Sequence, residues 1–224
     1  MIAADQPTIF PHTVRVAVSS VSDGSMKDGA ELLTPEAIKN RRDFLEHLMM
    51  PSEKAAVFYA DFETEDFCRY TTATAGLLPG IDGVTTDQLQ QPILLPIADC
   101  VATVLYDPAH RAVMVSHLGR HSTEQYGAVK SVQYMTQYHG SNPADLLVWL
   151  GPSPNGVDYP LWAFDHRSFT EVLAEQLLSA GIQAEYLEVS QVDTSTNRDY
   201  FSHSQFLKEQ QATDGRYAIA AMIV

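Results

Sequence analysis

The chain has 224 residues, of which 45% are hydrophobic and 19% charged, and this composition excludes a disordered or fibrous protein. Asp and Glu outnumber Lys and Arg by 28 to 14, and the resulting net charge of −14 repels nucleic acids and anionic membrane surfaces. Its two cysteines are too few for a disulfide framework, and no apolar run reaches the roughly 18 residues of a membrane span. We therefore expect one cytoplasmic domain, residues 1–224, that is a monomer or homodimer and binds a small molecule.

Helix signals occur at three places along the chain. At each place a residue that can cap the first helical turn precedes an acidic or amide residue, which is typical of helix N-termini. Proline or glycine then marks the predicted end. In chain order, the predicted helices begin at Thr34-Pro35-Glu36, Ser122-x-x-Gln125 and Ser168-x-x-Glu171, and end before Pro51, near Gly140 and near Gly181.

Eight runs of β-branched and apolar residues predict strands, which therefore outnumber the helices. The run 101–106 is apolar on both faces, as expected of a sheet that is covered on both sides. We therefore expect an α/β fold, a layered α/β sandwich with mixed, largely antiparallel sheets. The predicted strands are 13–19, 55–60, 93–97, 101–106, 111–116, 146–150, 184–189 and 217–224.

One predicted hairpin brings a cysteine to a histidine. The turn sequence 107–110 has Asp first and Pro second, as a type I turn prefers. If these four residues form the loop, Tyr106 pairs with Arg111, and Cys100 lies directly opposite His117. Facing Cβ atoms in an antiparallel pair are about 5 Å apart, close enough for a thiolate–imidazole contact or for two ligands of one metal. Cys100 and His117 are therefore the candidate catalytic residues.

The predicted helix that begins at Ser122 follows this pair closely. Its N-terminus offers unpaired N–H groups and a partial positive charge, which lower a nearby thiol pKa or bind phosphate. Ser122 is therefore a candidate substrate-binding residue. The second cysteine, Cys68, lies beside Glu65 and Asp66, whose charges raise a thiol pKa, so we interpret it as structural.

Short motifs are spread over nearly the whole chain: Asn40-Arg41, Asp82-Gly83-Val84-Thr85-Thr86-Asp87, Ala98-Asp99-Cys100, Tyr106-Asp107-Pro108, His117-x-Gly119, Gly151-Pro152-Ser153, Phe201-Ser202-His203 and Gly215-Arg216. In their order, and in the spacing from Cys100 to His117, they resemble the YfiH-type laccase-domain family, also called multicopper polyphenol oxidase or peptidoglycan editing factor. The resemblance implies a four-layer α/β sandwich similar to cysteine-hydrolase folds. It also implies phosphorolysis of purine nucleosides, sometimes with adenosine deamination.

The resemblance further implies a zinc site built from one cysteine and two histidines, which leaves a fourth position open for water or substrate. Cys100 and His117 match two of these ligands. The third position falls on Phe62, whose side chain cannot bind a metal and would instead face a substrate. Zinc would then need His121 from the helix side, or Asp61 through a β-bulge, as its third ligand.

Anion-binding residues also depart from the family pattern. The early threonine–arginine landmark aligns with Val16-Ala17, so its arginine is absent, and Arg15 on the same strand face is the candidate replacement. His121 is a further substrate-binding candidate. Arg216 is expected to form a salt bridge with Asp214 or another acid.

Three functions follow from these observations. The first is an enzyme that acts on a purine nucleoside or a similar small polar molecule through Cys100 and His117, with or without zinc. The second is a metal-free Cys/His enzyme with a different substrate, in which His117 is the base for a thiol nucleophile. The third is a non-catalytic binding protein on the same scaffold.

Overall fold

The structure is a computed structural model that describes residues 5–27 and 33–224. Within these ranges it contains eleven strands and five α-helices, so strands outnumber helices, as the sequence predicts. The helices are α1 (Pro35–His47), α2 (Arg120–Glu124), α3 (Gly127–His139), α4 (Phe169–Ser179) and α5 (His203–Leu207). The strands are β1 (Val14–Val18), β2 (Ala56–Tyr59), β3 (Tyr70–Thr72), β4 (Gly76–Pro79), β5 (Gly83–Thr86), β6 (Ile93–Ile97), β7 (Val101–Asp107), β8 (Ala112–Leu118), β9 (Leu147–Leu150), β10 (Leu187–Val189) and β11 (Tyr217–Ile223).

The described strands form two mixed sheets. The first has five strands in the order β1-β11-β6-β2-β4, and the second has six in the order β10-β9-β7-β8-β5-β3. Among these strands, five neighbouring pairs run antiparallel and four run parallel. The expected fold class, α/β with mixed sheets in which antiparallel pairs are the majority, is therefore confirmed.

The two sheets pack face to face, and helices cover both outer surfaces. Phe58 and Ile219 from the first sheet share one core with Val104 and Trp149 from the second. Helices α3 and α4 pack on the outer face of the second sheet, and α1 packs on that of the first. All seven residues of β7 are buried because both faces of its sheet are covered. The expected layered sandwich is confirmed, with four layers.

The first and third predicted helices form as expected, whereas the second is divided. Thr34 caps α1, and Ser168 caps α4. The prediction of one helix from Ser122 to Gly140 is wrong: α2 begins at Arg120, and the chain breaks at Tyr126 before α3. Ser122 lies inside the first turn rather than before it, and Tyr126 adopts φ +60°, which no α-helix accommodates.

The β7–β8 hairpin has a different register from the predicted one. Asp107 pairs with Ala112, so the loop is 108–111 and His117 pairs with Ala102 instead of Cys100. The Asp107 carboxylate accepts hydrogen bonds from two loop N–H groups, those of residues 109 and 110, and this Asx-type turn leaves Asp107 itself in the strand. The prediction that Cys100 lies directly opposite His117 is therefore wrong by two residues.

The sequence patterns missed three strands, β3, β4 and β5, and the short helix α5. Segments of three to five residues are too short to show a clear period of 2 or 3.6. The predicted strand 184–189 forms only in its second half, as β10, because Ala184–Tyr186 form a 3-10 turn. None of the helices in the described ranges is both long and apolar enough to cross a membrane.

Candidate active site

Three neighbouring strands of the second sheet bring three polar side chains to one edge. β8 lies between β7 and β5 and runs antiparallel to both, so its carboxyl end meets their amino ends. His117 lies near the end of β8, whereas Cys100 directly precedes β7 and Asp82 directly precedes β5. The strand order therefore places Cys100 and Asp82 on either side of His117.

The loop that carries Cys100 links the two sheets, because β6 belongs to the first and β7 to the second. Within this loop Asp99 has φ +68°, a left-handed conformation that Asp adopts more readily than most residues. Its carboxylate accepts hydrogen bonds from Ser202 Oγ and from the Ser204 backbone N–H, both at 2.6 Å. These bonds fix the loop to α5 and thereby fix the position of Cys100.

The Cys100 thiol and the His117 imidazole meet beside Gly119. A Cβ atom on Gly119 would lie 2.9 Å from Cys100 Sγ and 3.1 Å from His117 Cε1, so only glycine leaves both side chains in place. The two-residue error in register did not separate the pair, because a shift of two residues keeps a side chain on the same face of a sheet. The predicted juxtaposition is present, although the predicted pairing is not.

Asp82 lies on the opposite side of the His117 ring. Its Oδ1 atom is 3.5 Å from His117 Nδ1, and both side chains are at most 5% exposed. Burial lowers the pKa of His117, but the negative charges of the Cys100 sulfur and the Asp82 carboxylate outweigh burial and raise this pKa from 6.5 to about 9. A protonated His117 beside Cys100 can stabilise a thiolate, the state in which a thiol is a nucleophile.

Cys100 and His117 open into a pocket of about 680 Å³, a size typical of small-molecule sites. The pocket lies where the ends of β2 and β6 in the first sheet face the Cys100 loop and α5. Tyr59, Leu95 and Leu207 contribute apolar surface to its wall. A ligand bound here would contact both the apolar wall and the reactive pair.

Three basic side chains line the pocket, although the whole chain is acidic. They are Lys27, Arg120 and Arg216, and the acids Asp99 and Asp214 line the same pocket. The Lys27 ammonium lies 5.3 Å from the centre of the Tyr59 ring. Burial, followed by the charge of Arg216, lowers the pKa of Lys27, and the charge of Asp214 partly offsets both. Because the two cations repel each other, an anion bound between them would be stabilised.

Ion pairs and hydrogen bonds hold the basic residues in place. Arg216 forms the predicted salt bridge with Asp214 at 2.6 Å, and the same carboxylate oxygen lies 2.8 Å from His203 Nδ1. Arg120 donates a hydrogen bond to the Tyr159 hydroxyl at 3.1 Å. One acid, Asp214, and one aromatic residue, Tyr159, thus orient the basic residues of the pocket.

The residues around Cys100 do not fit a zinc site. Phe62 lies at the position where the family resemblance implies the third ligand, and its ring meets the His117 ring edge to face with centroids 5.8 Å apart. Within residues 5–27 and 33–224, no group of three or more His, Cys, Asp or Glu side chains is arranged to hold a metal ion. Two ligands alone are fewer than zinc sites in proteins normally use.

The two alternative ligands point elsewhere. The His121 ring stacks on Phe67 with centroids 5.0 Å apart. The Asp61 carboxylate accepts a hydrogen bond from the Glu63 N–H at 2.9 Å. Neither His121 nor Asp61 is among the residues that line the pocket. The described side chains of this site therefore lack a third metal ligand, and the chemistry that they offer is that of the Cys100 thiol and the His117 imidazole.

Two further candidates lie away from Cys100. Arg15 on β1 donates a hydrogen bond to the Leu48 carbonyl and borders a separate pocket of about 360 Å³. Ser122 is buried, and its hydroxyl accepts a hydrogen bond from the Gly119 N–H at 2.9 Å, which stabilises the start of α2. Of the four candidate substrate-binding residues, the structure brings only Phe62 to the reactive pair.

Sequence reasoning missed Asp82, Lys27 and Arg120 as residues of this site. Asp82 had a usable signal, because the β-branched run 84–86 after Asp-Gly predicts a strand and would have placed Asp82 at its start. Lys27 and Arg120 had none, since a single basic residue in a loop or at a helix start is usually solvated.

The second cysteine does not belong to the site. The Cys68 thiol donates a hydrogen bond to the Ser122 carbonyl at 3.7 Å, and burial raises its pKa. The charges of Asp82 and Asp66 raise this pKa further. The predicted direction is confirmed, but the main cause is burial rather than the neighbouring acids.

The fold and the site together define a mixed α/β protein of two packed sheets with a cysteine–histidine pair in a partly basic pocket. The chain belongs to the YfiH-type laccase-domain family, because the family model described as multi-copper polyphenol oxidoreductase laccase matches residues 34–161.

Two sequence relatives are consistent with this assignment. The chain is 35% identical over 82 residues to purine nucleoside phosphorylase YlmD of Bacillus subtilis, which covers 37% of this chain and 30% of YlmD. It is 24% identical over 149 residues to a purine nucleoside phosphorylase of Bacteroides thetaiotaomicron, which covers 56% of this chain and 55% of that protein. The chain thus matches only about a third to a half of these relatives' own lengths.

The fold comparison covers nearly the whole chain. The hypothetical protein YfiH of Bacillus licheniformis superposes with a TM-score of 0.80 at 23% identity, over 94% of this chain and 93% of that one. At this identity the likeness establishes the fold. The two sequence relatives carry the name of an enzyme, purine nucleoside phosphorylase.

Proposed function

We propose that this protein is an enzyme that acts on a purine nucleoside, or a similar small polar molecule, at the Cys100–His117 site without a bound metal. The observation that carries the proposal is the Cys100–His117 pair in a pocket whose wall also holds Lys27, Arg120 and Arg216. This combination suits an uncharged nucleoside against the apolar wall and an inorganic phosphate against the basic one. The names of two sequence relatives supply the reaction class.

Phosphorolysis can be written with these residues alone. A phosphate oxygen forms a bond to C1′ of the ribose, while the bond from C1′ to the purine nitrogen breaks and leaves its electron pair on the purine. His117, protonated as its raised pKa favours, donates a proton to the departing purine. The hydrogen phosphate proton then returns to His117, so that sugar phosphate and free base leave a regenerated site.

Release of free base from inosine or adenosine in phosphate buffer tests this proposal, and chromatography measures it. We expect His117→Gln to lower the rate by about 10²- to 10⁴-fold, the usual contribution of a general acid. Cys100→Ala should also lower it, whereas Cys68→Ala is the matched control and should keep the wild-type rate. Wild-type protein that releases no base from any purine nucleoside would contradict the proposal.

Phosphate binding by the basic residues of the pocket is tested separately, through the dependence of the rate on phosphate concentration. Lys27→Gln removes one of two neighbouring cations, so we expect the KM for phosphate to rise while the KM for the nucleoside stays nearly constant. Lys39→Gln on the exposed face of α1 is the matched control, because Lys39 pairs with solvent-exposed Asp43 and does not line the pocket. Equal effects of the two substitutions would show that the pocket cations do not bind phosphate.

A second function is favoured by the thiolate–imidazolium pair. Cys100 would attack an acyl carbon, the leaving group would depart with a proton from His117, and water would hydrolyse the thioester. A nitrophenyl ester tests this directly, because the acyl-enzyme would add the acyl mass to Cys100 and release one equivalent of nitrophenol in a burst. A protein that forms no adduct and releases no base from nucleosides is instead a binding protein.

A further inference from the structure

We propose that Asp82 is a positioning residue for His117: its carboxylate holds the proton on Nδ1 and directs Nε2 toward Cys100. The proposal rests on the Cys100–His117 site of the proposed function, but not on the identity of the substrate. It adds a third residue to a pair and assigns a role to a buried acid that the reaction described above does not use.

The sheet places Asp82 against His117. Gly83 pairs with Ser116 across β5 and β8, and continuing this antiparallel register by one residue puts Asp82 directly opposite His117. The His117 backbone N–H donates to the Asp82 carbonyl at 2.7 Å, which fixes the two residues side by side. Opposite residues in an antiparallel pair project to the same face, so the carboxylate and the imidazole are neighbours.

The side-chain atoms that face each other across the two strands are His117 Nδ1 and Asp82 Oδ1. His117 Nδ1 and Asp82 Oδ1 are buried, and within the described ranges neither has a hydrogen-bond partner, although they lie 3.5 Å apart. A buried carboxylate without a compensating charge is strongly destabilising, so the protonated His117 is the natural partner of Asp82. A distance slightly longer than a hydrogen bond is common in unliganded sites and shortens when substrate binds.

The remaining Asp82 oxygen provides an anchor. Oδ2 accepts a hydrogen bond from the Arg69 backbone N–H at 3.2 Å, and the Asp82 N–H donates to the Arg69 carbonyl at 2.8 Å. These bonds fix the carboxylate, so that Oδ1 faces His117 in one orientation. With Nδ1–H held by Asp82, the other ring nitrogen is the one free to exchange a proton with Cys100 or a substrate.

The Asp82→Asn variant distinguishes a role of Asp82 in orienting the His117 ring from a role in holding the backbone together. Asparagine keeps the size of Asp82 and can still accept the Arg69 N–H bond, but its amide group cannot hold a proton on Nδ1 as a carboxylate does. We expect the ring ¹⁵N spectrum of His117, recorded above its pKa of about 9 so that the ring is neutral, to change from an Nδ1–H form in the wild type to an Nε2–H form in Asp82→Asn. The rate of Cys100 alkylation by iodoacetamide at neutral pH should fall by about tenfold or more, because the misdirected ring no longer stabilises the thiolate.

Asp66→Asn is the matched control, because Asp66 is exposed in the loop before β3 and its substitution should leave both readouts unchanged. An Asp82→Asn protein with wild-type alkylation rate and His117 spectrum overturns the proposal. If Asp82→Asn does not fold, the wild-type spectrum alone decides, because a His117 ring without a proton on Nδ1 is incompatible with the proposed role. Neither readout needs turnover, so a failure of the nucleoside assay leaves this test intact.

Discussion

Gly119 lies between the two reactive side chains, where any larger residue would displace one of them. Its φ of −89° is one that alanine adopts without strain, so a substitution there changes packing and not backbone conformation. Cys100 cannot move away easily, because Asp99 fixes its loop to α5. The relative placement of thiol and imidazole therefore depends on this single glycine.

Gly119→Ala is expected to lower kcat/KM by about 100-fold, because displacements near 1 Å in a catalytic pair have effects of that size. The measurement is steady-state turnover of whichever substrate the wild type accepts. Circular dichroism and the thermal midpoint serve as controls for folding. A wild-type rate in Gly119→Ala would mean that the close contact of Cys100 and His117 is not needed.

His117 gives the site a defined pH dependence. Its pKa is raised from 6.5 to about 9, so the proton that it holds in the folded state is held fully below pH 6.5 and lost as the pH rises through about 9. We expect both turnover and the stabilisation due to the protonated ring to fall over that interval. Rate–pH profiles and urea unfolding at pH 6.5 and 9.5 measure the two effects, and His117→Gln should remove both.

At the residue scale, the sequence predicted the pair but not its geometry. Strand alternation put Cys100 and His117 on one face, and this survived the error in register because alternation has a period of two. The register itself depended on side-chain hydrogen bonds of Asp107 within the turn, which the turn sequence does not reveal. Lys27 joins the site only through the tertiary fold.

Tyr126, between α2 and α3, adopts a left-handed backbone conformation that is unfavourable for a residue other than glycine. Tyr126 has φ +60° and ψ +40°, and its side chain is mostly exposed. A non-glycine residue in this left-handed region is destabilised by roughly 1–2 kcal/mol. The break lets α3 pack on the outer face of the second sheet, while α2 carries Arg120 to the pocket.

Tyr126→Gly should therefore raise the free energy of unfolding by up to about 1 kcal/mol, the strain relieved less the extra flexibility of an unfolded glycine. Urea denaturation measures this change. Tyr126→Ala is the matched control, because it removes the same ring but keeps the strain. Equal effects of the two substitutions would show that the backbone conformation at residue 126 is not strained.

At the element scale, local signals predicted those helices whose ends are set by their own residues. Thr34 and Ser168 cap α1 and α4 as their sequences indicate. The division of the middle helix was not predictable in this way, since Ser122 bonds back to Gly119 and tertiary packing decides where the helix breaks. A short strand such as β3 forms through pairing with its neighbour β5, because three residues are too few to show a strand period in the sequence.

At the scale of the whole molecule, Asp and Glu outnumber Lys and Arg by 28 to 14. The net charge of −14 acts against compaction, because like charges repel more strongly in the folded chain. Salt bridges on exposed surfaces, such as Lys39–Asp43, contribute little to stability. Repulsion therefore dominates the electrostatics of folding, even though the pocket is locally basic.

Added salt should accordingly stabilise the protein. Raising NaCl from about 0.01 M to about 0.15 M shortens the screening length from roughly 30 Å to roughly 8 Å. We expect the free energy of unfolding, measured with urea, to increase over this range. KCl should have the same effect if screening is the cause, and a decrease would show that favourable ion pairs outweigh the repulsion.

The pairing of β1 with β11 has a consequence for the order of events during synthesis. Among the strands of residues 5–27 and 33–224, β1 is at the edge of its sheet and pairs with β11 alone, and roughly 200 residues separate the two. At a translation rate of about 5–20 residues per second, β1 leaves the ribosome about 10 to 40 s before its partner. Until β11 has been synthesised, the backbone edge of β1 lacks this partner, so the sheet closes only after β11 emerges, and β1 is exposed to chaperones or to aggregation until then.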